Sequence, residues 1–80
     1  MVRFETLASH ETEYGANNFI EVARKVAKDE TKPEDKGIEF ISLSRGFKTT
    51  KGERRFRMHF TMPPDAELVA FVTDALGRVR

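Results

Sequence analysis

Apolar and polar residues alternate along much of this chain. Residues 2–14 place Val2, Phe4, Thr6, Ala8, His10, Thr12 and Tyr14 on even positions and Arg3, Glu5, Leu7, Ser9, Glu11 and Glu13 on odd ones. Leu7 apart, this is the period of two of a strand with an acidic outer face. A second clean alternation sets Phe56, Met58, Phe60 and Met62 against Arg55, Arg57, His59 and Thr61. Between the two lies a third strand, Ile38–Lys48, whose apolar residues change parity: Ile38 and Phe40 are even, Ile41, Leu43 and Phe47 odd. Either both faces are covered there or a bulge sits near Phe40-Ile41. Pro63-Pro64 then ends the sheet and a helical stripe follows, Leu68, Phe71, Val72, Ala75, Leu76 and Val79. Pro64 suits the first helical position, Asp65 and Glu67 complement the positive end of the helix dipole, and Gly77 frays the last turn.

Phe19–Ala27, FIEVARKVA, carries two patterns at once. Phe19, Val22, Ala23, Val26 and Ala27 follow helical spacing, and Asn18 with Glu21 offers a capping-box-like start. Against this, Gly15-Ala16-Asn17-Asn18 reads as a turn, a compact turn after a strand makes a hairpin, and Ile and Val favour the pleated surface. Local pattern leans towards helix and context towards strand. Lys28–Gly37, KDETKPEDKG, is a charged, solvent-exposed loop.

Eighty residues make one small domain, 1–80, with a modest core. The chain has no cysteine, so disulfides and thiolate metal sites are excluded. No apolar run approaches the roughly 20 residues of a membrane span, and MVRFETLASHE has no continuous apolar signal region, so no membrane partner and a cytoplasmic location are expected. Catalysis finds no motif: there are two histidines, His10 and His59, no Gly-rich phosphate loop and no metal-ligand spacing. Strand alternation sends His10 to the opposite face from Glu11 and Glu13. A non-enzymatic protein without cofactor or metal is expected.

Charge is distributed unevenly. Residues 1–35 carry five bases and eight acids, a net −3; residues 36–80 carry nine and five, a net +4. The total of +1 argues against a uniformly basic nucleic-acid binder, but from Arg45 to Arg57 six bases (Arg45, Lys48, Lys51, Arg54, Arg55, Arg57) meet one acid, Glu53. A basic hairpin beside an aromatic, Phe47, offers cations to phosphates and a ring to unstacked bases. The same cluster also fits a solvated face, and Phe47 also fits a core ring at a strand end. Phe19 reads as core. His59 would add a proton-sensitive donor to the face of Arg55 and Arg57, or is an ordinary exposed sheet histidine.

The order of parts resembles the positive-cofactor-four type of transcriptional coactivator and its bacterial relatives. The resemblance rests on GIEFISLSRGF as a central strand, a turn with Gly52-Glu53, and a basic strand running into FTMPPDAELVAFV, and it spans roughly residues 3–76. It implies an α+β fold, a four-stranded antiparallel sheet followed by a C-terminal helix (ββββα), with Phe19–Ala27 as a strand. It also implies a homodimer whose strands splay single-stranded nucleic acid across basic surfaces. The expected function is sequence-tolerant binding of single-stranded DNA, or RNA, in transcription or genome maintenance, through Arg45, Phe47, Lys48, Lys51, Arg54, Arg55 and Arg57. The expected dimer uses the C-terminal helix, whose apolar stripe needs more cover than a small sheet gives. The competing readings are a protein-interaction or assembly module whose basic face meets an acidic partner, and, were residues 19–27 helical, a βαββα domain.

Overall fold

Gly15 and Asn17 both take positive φ, 59° and 64°, a conformation that glycine and asparagine tolerate better than other residues. The chain therefore reverses within three residues and returns as a strand. In the computed structural model, which describes residues 1–80, the elements are β1 (Val2–Tyr14), β2 (Asn18–Asp29), β3 (Ile38–Lys48), β4 (Arg54–Met62) and α1 (Ala66–Val79). The strands pair antiparallel in chain order, β1-β2-β3-β4, as one open sheet. The fold is ββββα. Phe19–Ala27 lies inside β2, so the turn and the β-branched residues outweigh the helical spacing. Pairing from Tyr14↔Asn18 to Val2↔Asp29 gives the backbone groups of β1 and of one edge of β2 their partners.

Two bulges correct the simple alternation. Between Thr6 and Ala8 the register shifts, leaving Leu7 as an extra residue in β1. Glu11 and Glu13 therefore share a face with Phe4 and Phe19, and the acids are not on an outer face opposite the apolar ones. The second shift separates Arg45↔Met58 from Gly46↔Phe56, so Arg57 is the extra residue of β4. Phe56 consequently lies on the face opposite Met58, Phe60 and Met62, and His59 on the face opposite Arg55. Gly46 permits this approach: a Cβ there would lie 2.1 Å from the Arg55 carbonyl oxygen. No bulge occurs at Phe40-Ile41, where pairing with β2 is continuous. Both faces are covered there instead. Phe40 meets Phe4 edge-on on one side, with centroids 6.1 Å apart, and on the other Ile41 lines the crevice beneath the helix.

The helix starts two residues later than the prolines suggest. Asp65 is its N-cap, accepting from the Glu67 and Leu68 N–H groups at 2.9 and 3.0 Å, so Pro64 stands before the cap. A capping carboxylate satisfies two N–H groups that would otherwise lack partners. The helix also runs through Gly77 to Val79, with Arg78 pairing to Asp74 one turn back at 3.0 Å. It stands over one face of the sheet, the helix face, across a crevice and with none of its own residues buried. Val69, Val72, Thr73 and Leu76 line a crevice of about 210 Å³ there with Val22, Ile41, Leu43 and Met62. The other face is open.

The charged loop begins after Asp29, two residues later than its composition suggests, and its own carboxylates organise it. Asp35 accepts from the N–H groups of Asp29 and Gly37 at 2.8 and 2.9 Å. Asp29 accepts from the Thr31 N–H and hydroxyl at 3.0 and 2.7 Å. Both carboxylates are thereby held below the usual range.

Seven residues are buried, and only Phe19, Ala23, Val26 and Met62 are apolar side chains among them. Ser42 and Ser44, also buried, share a hydrogen bond between their hydroxyls at 3.3 Å. So small a core leaves much apolar surface outside. Phe60, Met58 and Ile20 on the helix face, and Phe71 and Leu76 on the helix, are all exposed.

Candidate nucleic-acid interface

The β3–β4 hairpin is closed by its own backbone. Gly52 N–H donates to the Thr49 carbonyl and Thr49 N–H to the Glu53 carbonyl, both at 2.9 Å, while the Thr49 hydroxyl accepts from Glu53 N–H. Strand alternation then distributes the basic residues to two faces, because Arg54 and Arg55 are neighbours in sequence and must point apart. The seven candidate residues consequently form two groups, with Lys51 at the exposed tip of the turn.

Arg45, Phe47, Arg55 and Arg57 gather at the hairpin end of the helix face. Phe47 pairs across the sheet with Arg55, and the extra residue Arg57 lays its guanidinium over the Phe47 ring, 5.1 Å from the centroid. Phe47 is half-buried, with its ring engaged by a cation rather than sunk in the core. Arg55 pairs with Glu53 at 3.0 Å, but both side chains are more than half exposed, so the pair holds the arginine weakly. Arg45, Arg57 and Lys51 have no carboxylate within 4.0 Å. Beside Arg45 opens an apolar groove of about 240 Å³ lined by Ile20, Leu43, Met58 and Phe60. Here cations without acid partners adjoin aromatic and apolar surface.

Lys48 and Arg54 lie on the open face and are engaged. Lys48 bonds to Glu13 and lies 3.7 Å from Glu11; the bond to Glu13 raises the ammonium above its usual range despite partial desolvation. Arg54 reaches Glu11 at 2.6 Å and Glu21 at 3.0 Å. Its guanidinium also lies over the rings of Phe19 and Phe56, 4.7 and 4.9 Å from their centroids. Those rings meet edge to face at 5.3 Å, and Phe19 beneath them is fully buried. Arg54 therefore caps the most buried aromatic side chain of the fold. Its hydrogen bonds go to carboxylates of the first hairpin.

Sequence reasoning grouped all six bases, but the bulge at Arg57 and the acids of β1 and β2 divide them. The signal that separates them was present: acids collect in the first half of the chain and bases in the second, and the fold folds one half against the other. The groove residues Ile20, Met58 and Phe60 were missed as surface because alternation alone assigns them to a core.

No group of three or more His, Cys, Asp or Glu side chains is placed to hold a metal ion, and His10 faces away from Glu11 and Glu13. No helix is long and apolar enough to cross a membrane. Comparison of the chain with protein-family models, curated proteins and solved structures finds no match.

Proposed function

We propose that this chain binds single-stranded nucleic acid, DNA or RNA, at the hairpin end of the helix face. The observation that carries the reading is the Arg57 guanidinium stacked on Phe47 beside the unpartnered Arg45. Arg45, Lys51, Arg55 and Arg57 would neutralise phosphates, and Phe47 would receive a base, a combination that tolerates any sequence. Lys48 and Arg54 stay paired with Glu11, Glu13 and Glu21, whose three charges outweigh their two, and take no part in phosphate contact. The role is binding rather than catalysis, needs no cofactor, and belongs to transcription or genome maintenance, as the resemblance to the positive-cofactor-four type of protein implies; the cytoplasmic location rests on the absence of an apolar signal or membrane-spanning run in the sequence.

The binding unit in this reading is a homodimer formed through α1. Its support is the exposure of Phe71 and Leu76 and the crevice left between helix and sheet, surface that a second copy would cover. The competing reading is an assembly module for an acidic protein partner, and one observation favours it: the apolar groove adjoining Arg45 suits a peptide with apolar and acidic side chains. Affinity for a short single-stranded oligonucleotide, compared with a duplex of equal length and with an acidic peptide, tests the two. Tightest binding to the single strand supports nucleic-acid binding, and tightest binding to the peptide supports the module.

A further inference from the structure

We propose that the open face carries a second site, for an aromatic anion the size of a mononucleotide, in the hollow between Phe4, Lys25, Phe40, Ser42, His59 and Thr61. All four strands contribute to it. Lys25 pairs across the sheet with Phe40, Ser42 with Thr61, and Ser44 with His59, while Phe4 of β1 closes the hollow against Phe40. Its volume of about 340 Å³ is the largest of any hollow on the surface and falls in the range of small-ligand sites.

The lining is chemically divided. Phe4 and Phe40 stand at 87° to one another, and Phe4 remains 64% exposed, so its ring surface is free for a flat partner. Lys25 is half-buried and has no carboxylate within 4.0 Å. The acids of this face are engaged at its other end by Lys48 and Arg54, and Glu39, next to Phe40 in β3, points to the helix face and pairs there with Arg24 at 3.2 Å. A partly desolvated ammonium without a counter-charge attracts an anion. His59 and the Thr61 hydroxyl line the hollow from β4, across β3 from Lys25, as further donors, whereas the Ser42 hydroxyl on the floor is already shared with Ser44. One ring surface with a cation and two donors alongside fits a base joined to a phosphate. Neither an aliphatic acid nor an uncharged ring uses both halves. The site faces away from Arg45, Phe47 and Arg57, and it stands whether or not the hairpin binds nucleic acid.

The test is an amide chemical-shift titration of the full chain with AMP, with adenosine and with inorganic phosphate. AMP should move the amides of Phe4, Lys25, Phe40, His59 and Thr61 and bind at least about tenfold more tightly than either fragment alone. Lys25→Ala should weaken AMP and phosphate together. Phe4→Leu, at an exposed position that leaves the fold intact, should weaken AMP and adenosine and spare phosphate. A short single-stranded oligonucleotide that moves these amides at lower concentration than AMP identifies a nucleotide within a strand as the ligand; the reverse order identifies the free nucleotide. Shifts confined to Arg45–Arg57, no response to about 10 mM AMP, or unaltered AMP affinity in Lys25→Ala would overturn the site.

Discussion

Arg54 of the last strand lies 2.6 Å from Glu11 of the first, spanning the two strands between them. With Glu21 at 3.0 Å and the rings of Phe19 and Phe56 beneath, it ties both hairpins over the most buried side chain of the fold. The Glu21 side chain is only 13% exposed, so removing its partner leaves a carboxylate in a poorly solvated place. Arg54→Ala should therefore cost about 1.5–3 kcal/mol in denaturant unfolding, from the lost cover of Phe19 and the stranded carboxylate. Arg54→Lys keeps the charge but not the flat stack and should fall between. An Ala variant as stable as the parent would refute the clasp.

Gly46 is the residue that makes the second bulge possible. An added Cβ meets backbone atoms of Arg55 at 2.1 and 2.9 Å, which cannot swing away as a side chain tip would. Gly46→Ala should cost about 2–4 kcal/mol and raise amide exchange across Arg55–Met58. An unchanged unfolding midpoint would show that the strands re-register freely.

The fold was legible where the pattern had one solution. The Pro-Pro stop, the amphipathic helix and the alternating outer strands each named an element, and the turn at Gly15–Asn17 decided β2. What stayed hidden were the bulges, because each shifts parity without changing composition. Leu7 in an alternating strand was one visible trace, and Gly46 inside a strand was another. The candidate site suffered most from this. Alternation placed Arg57 and His59 on one face and Phe56 with Phe60, and the extra residue in β4 undoes both pairings. Ion pairs across strands, such as Arg54 with Glu11, depend on register and could not be read from sequence.

Phe71 is 69% exposed on a helix whose half-buried residues are Val69, Val72 and Ala75. Phe71→Glu should keep the fold of the chain, with its helical signal, and reduce the mass in sedimentation at micromolar concentration from dimer to monomer. Each phenylalanine covered by a partner adds about 1.5–3 kcal/mol to association, enough for one substitution to dissociate the pair. A parent chain that sediments as a monomer would remove the dimer.

The loop carboxylates set the acid response. Asp35 is depressed chiefly by the N–H groups of Asp29 and Gly37, and Asp29 by the Thr31 hydroxyl and N–H. A depressed carboxylate contributes stability that is present above its unfolded value and lost as pH falls through the folded one. Amides of Asp29 and Gly37 should therefore move only below the ordinary carboxylate range, and Asp35→Asn should reproduce the change at neutral pH. Lys48 has the opposite sign. Raised mainly by its bond to Glu13, it contributes below the ordinary lysine range and loses that contribution as pH rises through its folded value. Amides moving at neutral pH in the parent would contradict the assignment.

The most direct test of the nucleic-acid reading is the salt dependence of single-strand affinity. For single strands the slope of log K against log salt is about −0.7 per phosphate contact, so Arg45, Lys51, Arg55 and Arg57 together give about −2.8. Arg45→Ala with Arg57→Ala should flatten the slope by about 1.4. Phe47→Ala should weaken binding by about 1–3 kcal/mol and leave the slope unchanged. Arg54→Lys should leave the slope unchanged as well, because Arg54 stays with Glu11 and Glu21. A double variant with the parent slope, or a parent that binds duplex or acidic peptide more tightly than single strand, would contradict the account.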